Sequence, residues 1–373
     1  MQNPCPKRLL IITQKMDKSD ALLGFFHRWI EEFAKHLEVV EVICLYEGEH
    51  DFQSEKRNPS TQLRAGAKSE KYDNITIYSL GKESGYSKSQ QLFRFWKFCL
   101  KLAPRVDGVF VHMNAIWVVL GWPIFILFGK KIVFWITHYR MGFLANIAGL
   151  LAGEVVTATA ESAHLKTKKA TVLGHGIDTQ SFRRLVGGKR NSQEILVLGR
   201  ISRMKNIDVA IRAFVSVIPA HPEIRLSIVG DSMTADGAAY LDELKKLSRS
   251  LGAAHAIRFL PSVSYARTLG LYNSFGFLVN ATETGSLDKV PLEAMASELP
   301  ALVSNRPYER FFSPDLKALL FFRERDSADL TRKLGAFLSL APSERERIGK
   351  EVRELVVRHH SLARLVPNIL SCF

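Results

Sequence analysis

Eleven short apolar runs, each five to nine residues long, alternate with amphipathic stretches along most of this chain. In the first half, RLLIITQ (8–14), VVEVICLYE (39–47), NITIYSL (74–80), GVFVHM (108–113), KIVFWITH (131–138) and VVTAT (155–159) read as strands. Helical periodicity lies between them over 25–37, 90–102 and 115–128. In the second half, EILVLGR (194–200), IRLSIVGD (224–231), IRFLPSV (257–263), FGFLVNA (275–281) and PALVSN (300–305) read as strands. Helical patterns follow at 206–218, 238–251, 265–273 and 292–297. Strands that are apolar throughout and separated by helices belong to parallel sheets covered on both faces. Two such series in succession predict an α/β protein with two doubly wound, Rossmann-like domains facing across a cleft.

The length of 373 residues suits two domains, each large enough to bury a core. The polar stretch 178–193 places the join, dividing the chain into 1–185, 186–355 and a basic amphipathic end, 356–373, expected to pack back on the first domain. A second polar stretch, 47–71, is too long for a tight connection and reads as a loop. Four scattered cysteines without a CxxC pair predict neither a disulfide framework nor a zinc site. The most apolar window, 115–128, is fourteen residues long and broken by Gly121 and Pro123, short of the ~20 needed to span a membrane. The amino terminus runs directly into the first strand, unlike a signal peptide. These features predict a cytoplasmic protein that can rest on the inner face of a membrane.

The net charge of +14 is spread over both halves, +8 in residues 1–187 and +6 in the remainder. A general positive field suits anionic partners such as phosphorylated small molecules or an anionic membrane surface. No basic-aromatic module for nucleic acid accompanies it. The stretch QQLFRFWKFCLKL (90–102) mixes aromatics with cations, a pattern for a lipid interface or for a core helix with snorkelling cations.

In open parallel sheets, ligands bind beyond the carboxyl ends of the strands. Arg200 ends one strand and Lys205 follows at a helix entrance, so two cations and free backbone N–H groups converge as a diphosphate requires. Alternatively, both are solvated basic residues. The loop Thr282–Glu293 carries Gly285, Ser286, Leu287, Asp288 and Lys289 ahead of Glu293. It offers carboxylates for sugar hydroxyls, or simply an acidic helix start. His138 and His112 end apolar strands, positions open to catalytic and structural histidines alike. Gly24, in the turn after the first strand, either lets a ligand approach backbone or only permits the turn.

Taken together, GRISRMKNIDVAIRAF, IVGD, IRFLPSV, PLEAMASELPALVS and HGIDTQSF resemble the retaining nucleotide-sugar glycosyltransferases of family 4 (glycosyl transferases group 1), which have the GT-B fold. The resemblance is strong over about 174–305 and weaker before it. It implies that Arg200 and Lys205 clamp the donor diphosphate, that Glu293 holds the nucleotide ribose, and that Arg258 and Phe259 border the nucleobase. It also implies that His138 contacts the transferred sugar, and that the first domain, with Gly24, holds a saccharide or lipid-linked acceptor. Members often carry a second glutamate eight residues before the one matching Glu293. Here that position is Gly285, and Asp288 is the nearest replacement. The resemblance implies no resident cofactor, the nucleotide sugar being a co-substrate, and the lack of an Asp-x-Asp motif agrees with metal-independent transfer. No carboxylate is an evident nucleophile, so attack on the face of departure is expected. An epimerase on the same fold and a non-catalytic nucleotide-sugar-binding subunit are the rival readings.

Overall fold

The computed structural model describes residues 5–20, 23–55, 72–137, 142–162, 169–285 and 287–373. The chain divides into two units, one of Met1–Gly176 with Leu362–Phe373, the other of Ile177–Ser361. The first unit is built on eight strands: β1 (Arg8–Met16), β2 (Val39–Glu47), β3 (Gln53–Ser54), β4 (Ile75–Ser79), β5 (Gly108–His112), β6 (Lys131–Trp135), β7 (Glu154–Thr157) and β8 (Ala170–Val172). Their order is β3-β4-β2-β1-β5-β6-β7-β8, and every pair is parallel. Within Met1–Gly176, four α-helices accompany them among the described residues, α1 (Phe25–His36), α2 (Lys88–Leu102), α3 (Ala115–Leu127) and α4 (Phe143–Leu151).

Alternation along β1 shows how the sheet organises this unit. Leu9 and Ile11 face one apolar cluster, with Phe26, Trp29 and Phe33 of α1 and Leu365, Val366 and Ile369 of the last helix, Leu362–Leu370. Leu10 and Ile12 face the other, with α2, α3 and α4. Helix α1 forms because its apolar residues recur at helical spacing, burying Phe26, Trp29, Ile30 and Phe33 on one face. Helix α2 starts at a capping box, Ser87 accepting from the Gln90 N–H while Gln90 accepts from the Ser87 N–H. The terminal aromatic locks against the sheet, since a Cβ on Gly108 would meet the Phe373 ring at 2.3 Å.

The second unit has the five parallel strands β9 (Asn191–Leu198), β10 (Arg225–Val229), β11 (Ile257–Leu260), β12 (Phe275–Asn280) and β13 (Ala301–Val303), ordered β11-β10-β9-β12-β13. Around them stand α5 (Ile207–Val217), α6 (Ala235–Ser250), α7 (Tyr265–Ser274), α8 (Lys289–Ala296), α9 (Pro307–Phe311), α10 (Pro314–Leu320), α11 (Ser327–Leu338) and α12 (Pro342–His360). Strand order reverses direction at β9, which places a switch point between β9 and β12.

The sequence and the structure part in several places. The stretch 178–193 is not a linker: Phe182 is buried against Tyr265 and Tyr272, and Asn273 bonds the backbone of Leu185 and Arg183. The unit boundary therefore precedes it, after Gly176 instead of 185, and the last helix that stays with the second unit runs to His360. Helix α4, apolar in nearly every position, has no amphipathic contrast for a periodicity reading to detect. Strands β3 and β8, two and three residues long, are too short to leave a pattern. Of the loop expected at 47–71, residues 56–71 lie outside the described residues.

Candidate active site

Strands β9 and β10 end side by side at two glycines. Gly199 and Gly230 have φ of 137° and 156°, and a Cβ on Gly230 would fall 1.9 Å from the Gly199 carbonyl oxygen. No side chain fits between these strand ends. Gly230→Ala is expected to destabilise the second unit by about 2–4 kcal/mol in urea denaturation, since either strand end must move to admit the methyl. A loss under about 0.5 kcal/mol would mean the two ends are loosely held.

Past Gly199 the chain makes a single 3₁₀ turn over Arg203–Lys205 and leaves it at Asn206, held in the left-handed region at φ 44°. The Asn206 side chain donates to the Ala281 carbonyl at 3.1 Å, tying the start of α5 to the loop after β12. This turn folds Lys205 back over the strand end: a Cβ on Gly199 would stand 3.8 Å from its Nζ. Arg200, beside it in sequence, is exposed.

The Lys205 ammonium meets the Asp288 carboxylate, and both side chains are largely buried. Asp288 Oδ2 also accepts from Asn280 Nδ2 at 3.0 Å and Thr282 Oγ1 at 3.2 Å, while Oδ1 caps α8 through the Val290 N–H at 3.4 Å. Burial alone would raise this carboxyl, but the Lys205 charge and bond, with the Asn280 and Val290 bonds, outweigh it and hold the group at about 2. The Asp288 carbonyl accepts from Tyr308 Oη at 2.7 Å, which fixes the loop from below.

One turn into α8, Glu293 is buried, and Tyr272 Oη donates to its Oε2 at 3.0 Å. Burial pushes this carboxyl up to about 7, with Lys289 and the Tyr272 bond opposing it. Burial likewise drives the Lys289 ammonium well below its ordinary value. The loop and helix thus carry one firmly ionised carboxylate against a cation, and one carboxyl close to half-protonated at neutral pH. The first can orient a cation; the second can accept or donate a hydrogen bond.

The structure brings Lys205, Asp288, Lys289 and Glu293 onto the loop-to-helix segments of one unit. Gly285 is buried beside them in sequence, and the Leu287 side chain packs into the hydrophobic core. Arg258 is not brought to this place. Its guanidinium pairs with Glu194 at 2.5 Å, toward the amino ends of the strands, because residues 258 and 194 lie on one face of the sheet with Ser227 between them. Phe259 packs against the core. Gly24 serves the turn before α1, where a Cβ would lie 2.5 Å from the Asp20 carbonyl oxygen. His112 is buried and stacked on Phe26 at 4.0 Å within the core of the first unit. His138 and Ser286 lie outside the described residues. Sequence reasoning missed Asn280, Thr282, Tyr272 and Tyr308. Only Asn280, a polar residue closing an apolar strand, left a readable signal.

A cavity of about 460 Å³ opens at the start of α5, lined by Arg203, Asn206, Asp208, Tyr240, Glu243 and Arg325 among others. Two of its arginines are matched, Arg203 by Asp236 and Glu243 and Arg325 by Glu283. Neither Lys205 nor Glu293 lines it.

Comparison with known proteins gives this geometry a context. Residues 178–355 match the family described as glycosyl transferases group 1. The chain is 25% identical over 202 residues to the alpha-monoglucosyldiacylglycerol synthase of Streptococcus pneumoniae, covering 50% of this chain and 44% of that protein. It is 29% identical over 150 residues to a D-inositol 3-phosphate glycosyltransferase of Catenulispora acidiphila, covering 36% and 34%. The chain thus spans under half the length of these two curated relatives. The crystal structure of Anabaena Alr3699/HepE in complex with UDP superposes with a TM-score of 0.71 at 13% identity, covering 97% of this chain and 98% of that one. At that identity the likeness speaks to fold, and the fold is the two-sheet α/β architecture of GT-B glycosyltransferases. The match lies on the unit that holds Lys205, Asp288 and Glu293, and residues 178–355 of this chain are similar to the glycosyl transferases group 1 domain.

Proposed function

We propose that this chain is a retaining glycosyltransferase of family 4, moving a sugar from a nucleotide-diphosphate donor to the hydroxyl of a saccharide or lipid-linked acceptor. The observation that carries the reading is Lys205, folded back over the side-chain-free end of β9, with Arg200 exposed one residue past Gly199. As the glycosidic bond breaks, negative charge gathers on the departing diphosphate, and Arg200 and Lys205 supply fixed positive charge there. Lys205 must then share its ammonium between the phosphate and Asp288, so Asp288 sets how strongly that cation pulls. Glu293 is assigned to the nucleotide ribose, where a carboxyl accepts from vicinal hydroxyls. With Gly285 where a glutamate is common, Asp288 is the carboxylate left to orient the sugar. The acceptor hydroxyl attacks from the face of departure, and the leaving phosphate takes its proton. The first unit is assigned to the acceptor, with Gly24 on the acceptor side, and His138 to contact with the transferred sugar. The structural relative Alr3699/HepE was crystallised with UDP and with UDP-glucose, which makes uridine donors the first to try.

A thermal-shift screen of UDP, GDP and ADP sugars tests the reading, because a ligand that binds only the folded state raises Tm. One nucleotide series is expected to raise Tm, and Arg200→Ala, an exposed change, is expected to abolish the shift without lowering the ligand-free Tm. No shift with any of them would refute the donor assignment. A glycosyl adduct trapped on an Asp or Glu would refute same-face attack.

A further inference from the structure

Helices α2, α3 and α4 form one layer over the Leu10/Ile12 side of the first sheet, burying Phe95, Phe98, Trp117 and Phe125 beneath them. Trp96 Nε1 donates to the Leu120 carbonyl at 3.0 Å, joining α2 to α3 side by side. The outer side of this layer is also apolar. Phe93, Trp96 and Leu100 stand exposed on α2, Ile126 and Leu127 on α3 and Phe143 on α4, with Leu127 75% and Phe143 83% accessible. Exposed apolar residues are ordinary when scattered, but six on one helical layer are not.

Charge says what covers them. Residues 85–153, which contain the whole layer, hold eight basic residues and one acid, Asp107, and so carry seven of the chain's fourteen net positive charges. Residues 1–84 are nearly balanced, with twelve basic groups against thirteen acidic. The lone acid is tied up: Asp107 Oδ2 accepts the Lys7 and Arg8 N–H groups at the start of β1. On α2 the exposed Lys97 and Lys101 flank Trp96 and Leu100. A self-complementary protein contact would bring these like charges together, whereas an anionic bilayer meets both the apolar side chains and the cations. Among the described residues no helix is long and apolar enough to cross a membrane.

We infer that the α2–α4 face of the first unit is a docking surface for an anionic lipid bilayer. This inference stands independently of the transfer reaction proposed above. The test is co-sedimentation of the full chain with vesicles of phosphatidylcholine alone or mixed with phosphatidylglycerol, at low and high salt. Wild type is expected to partition onto the anionic vesicles and to release in high salt. Leu127→Glu/Phe143→Glu, two exposed changes with unaltered Tm, is expected to lower partitioning at least about tenfold. Lys97→Glu/Lys101→Glu is expected to lower it on anionic vesicles by a similar factor. Equal binding to neutral and anionic vesicles, or unchanged binding of the Leu127/Phe143 variant, overturns the inference. So does a lipid-indifferent dimer that this variant dissociates, which would assign the face to a second copy of the chain.

Discussion

Lys205→Ala is expected to lower the unfolding free energy of the second unit by about 3 kcal/mol, and to reduce sugar transfer by on the order of 10²–10³-fold. Both effects have one origin. The Asp288 side chain is largely buried, ionised far below neutrality, and paired with the Lys205 ammonium. Removing that cation leaves a carboxylate out of water with only Asn280, Thr282 and the α8 backbone to satisfy it. Destabilisation on breaking such a pair is mostly the cost of the stranded charge. The double change Lys205→Ala/Asp288→Ala should therefore recover most of the lost stability while restoring none of the transfer. Urea denaturation of the single and double variants reads the first effect. If both singles and the double lose less than about 0.5 kcal/mol, the pair is solvated and the site is softer than described.

Glu293→Gln is expected to act in the opposite direction on stability, and only at high pH. The Glu293 carboxyl is raised from 4.5 to about 7 in the folded chain, so folding favours its protonated form. A group raised in this way stabilises fully below its unfolded value and loses that contribution as pH climbs through its folded value. At pH 8 the wild type must therefore hold a buried carboxylate that glutamine does not. The variant should be more stable there by up to about 3 kcal/mol, with the difference shrinking toward zero below about pH 4.5. Denaturation midpoints of both proteins across that range provide the check, and a pH-independent difference would overturn the assignment. If Glu293 holds the donor ribose, the same substitution should weaken nucleotide binding even as it stabilises the unit. A residue that a protein keeps at such an energetic disadvantage is a candidate for function on physical grounds.

How much was legible before the structure can be argued from single residues. The positions of Lys205 at a helix entrance and of Glu293 in the first turns of a helix were readable, because strand ends in a parallel sheet are where helix starts and loop cations gather. Their partners were not. Asp288 lies 83 residues from Lys205, and Tyr272 meets Glu293 across 21. No local periodicity encodes such pairings. The strand position of Arg258 was legible, but not its ion pair with Glu194 two strands away, a choice made by charge in three dimensions. His112, at a strand end open to either a catalytic or a structural reading, is a buried ring stacked on Phe26.

Alternation of apolar strands with amphipathic helices was enough, by itself, to settle two parallel α/β sheets. Hydrogen-bond demand and burial of both sheet faces leave few other ways to fold that pattern. The tertiary structure alone decided that the 178–193 stretch is packed and not a linker. It also decided that Lys205 is held by Asp288, and that α2, α3 and α4 share one uncovered apolar side. The reason is range: periodicity reports which face of an element is buried, whereas ion pairs and surfaces depend on where distant elements meet.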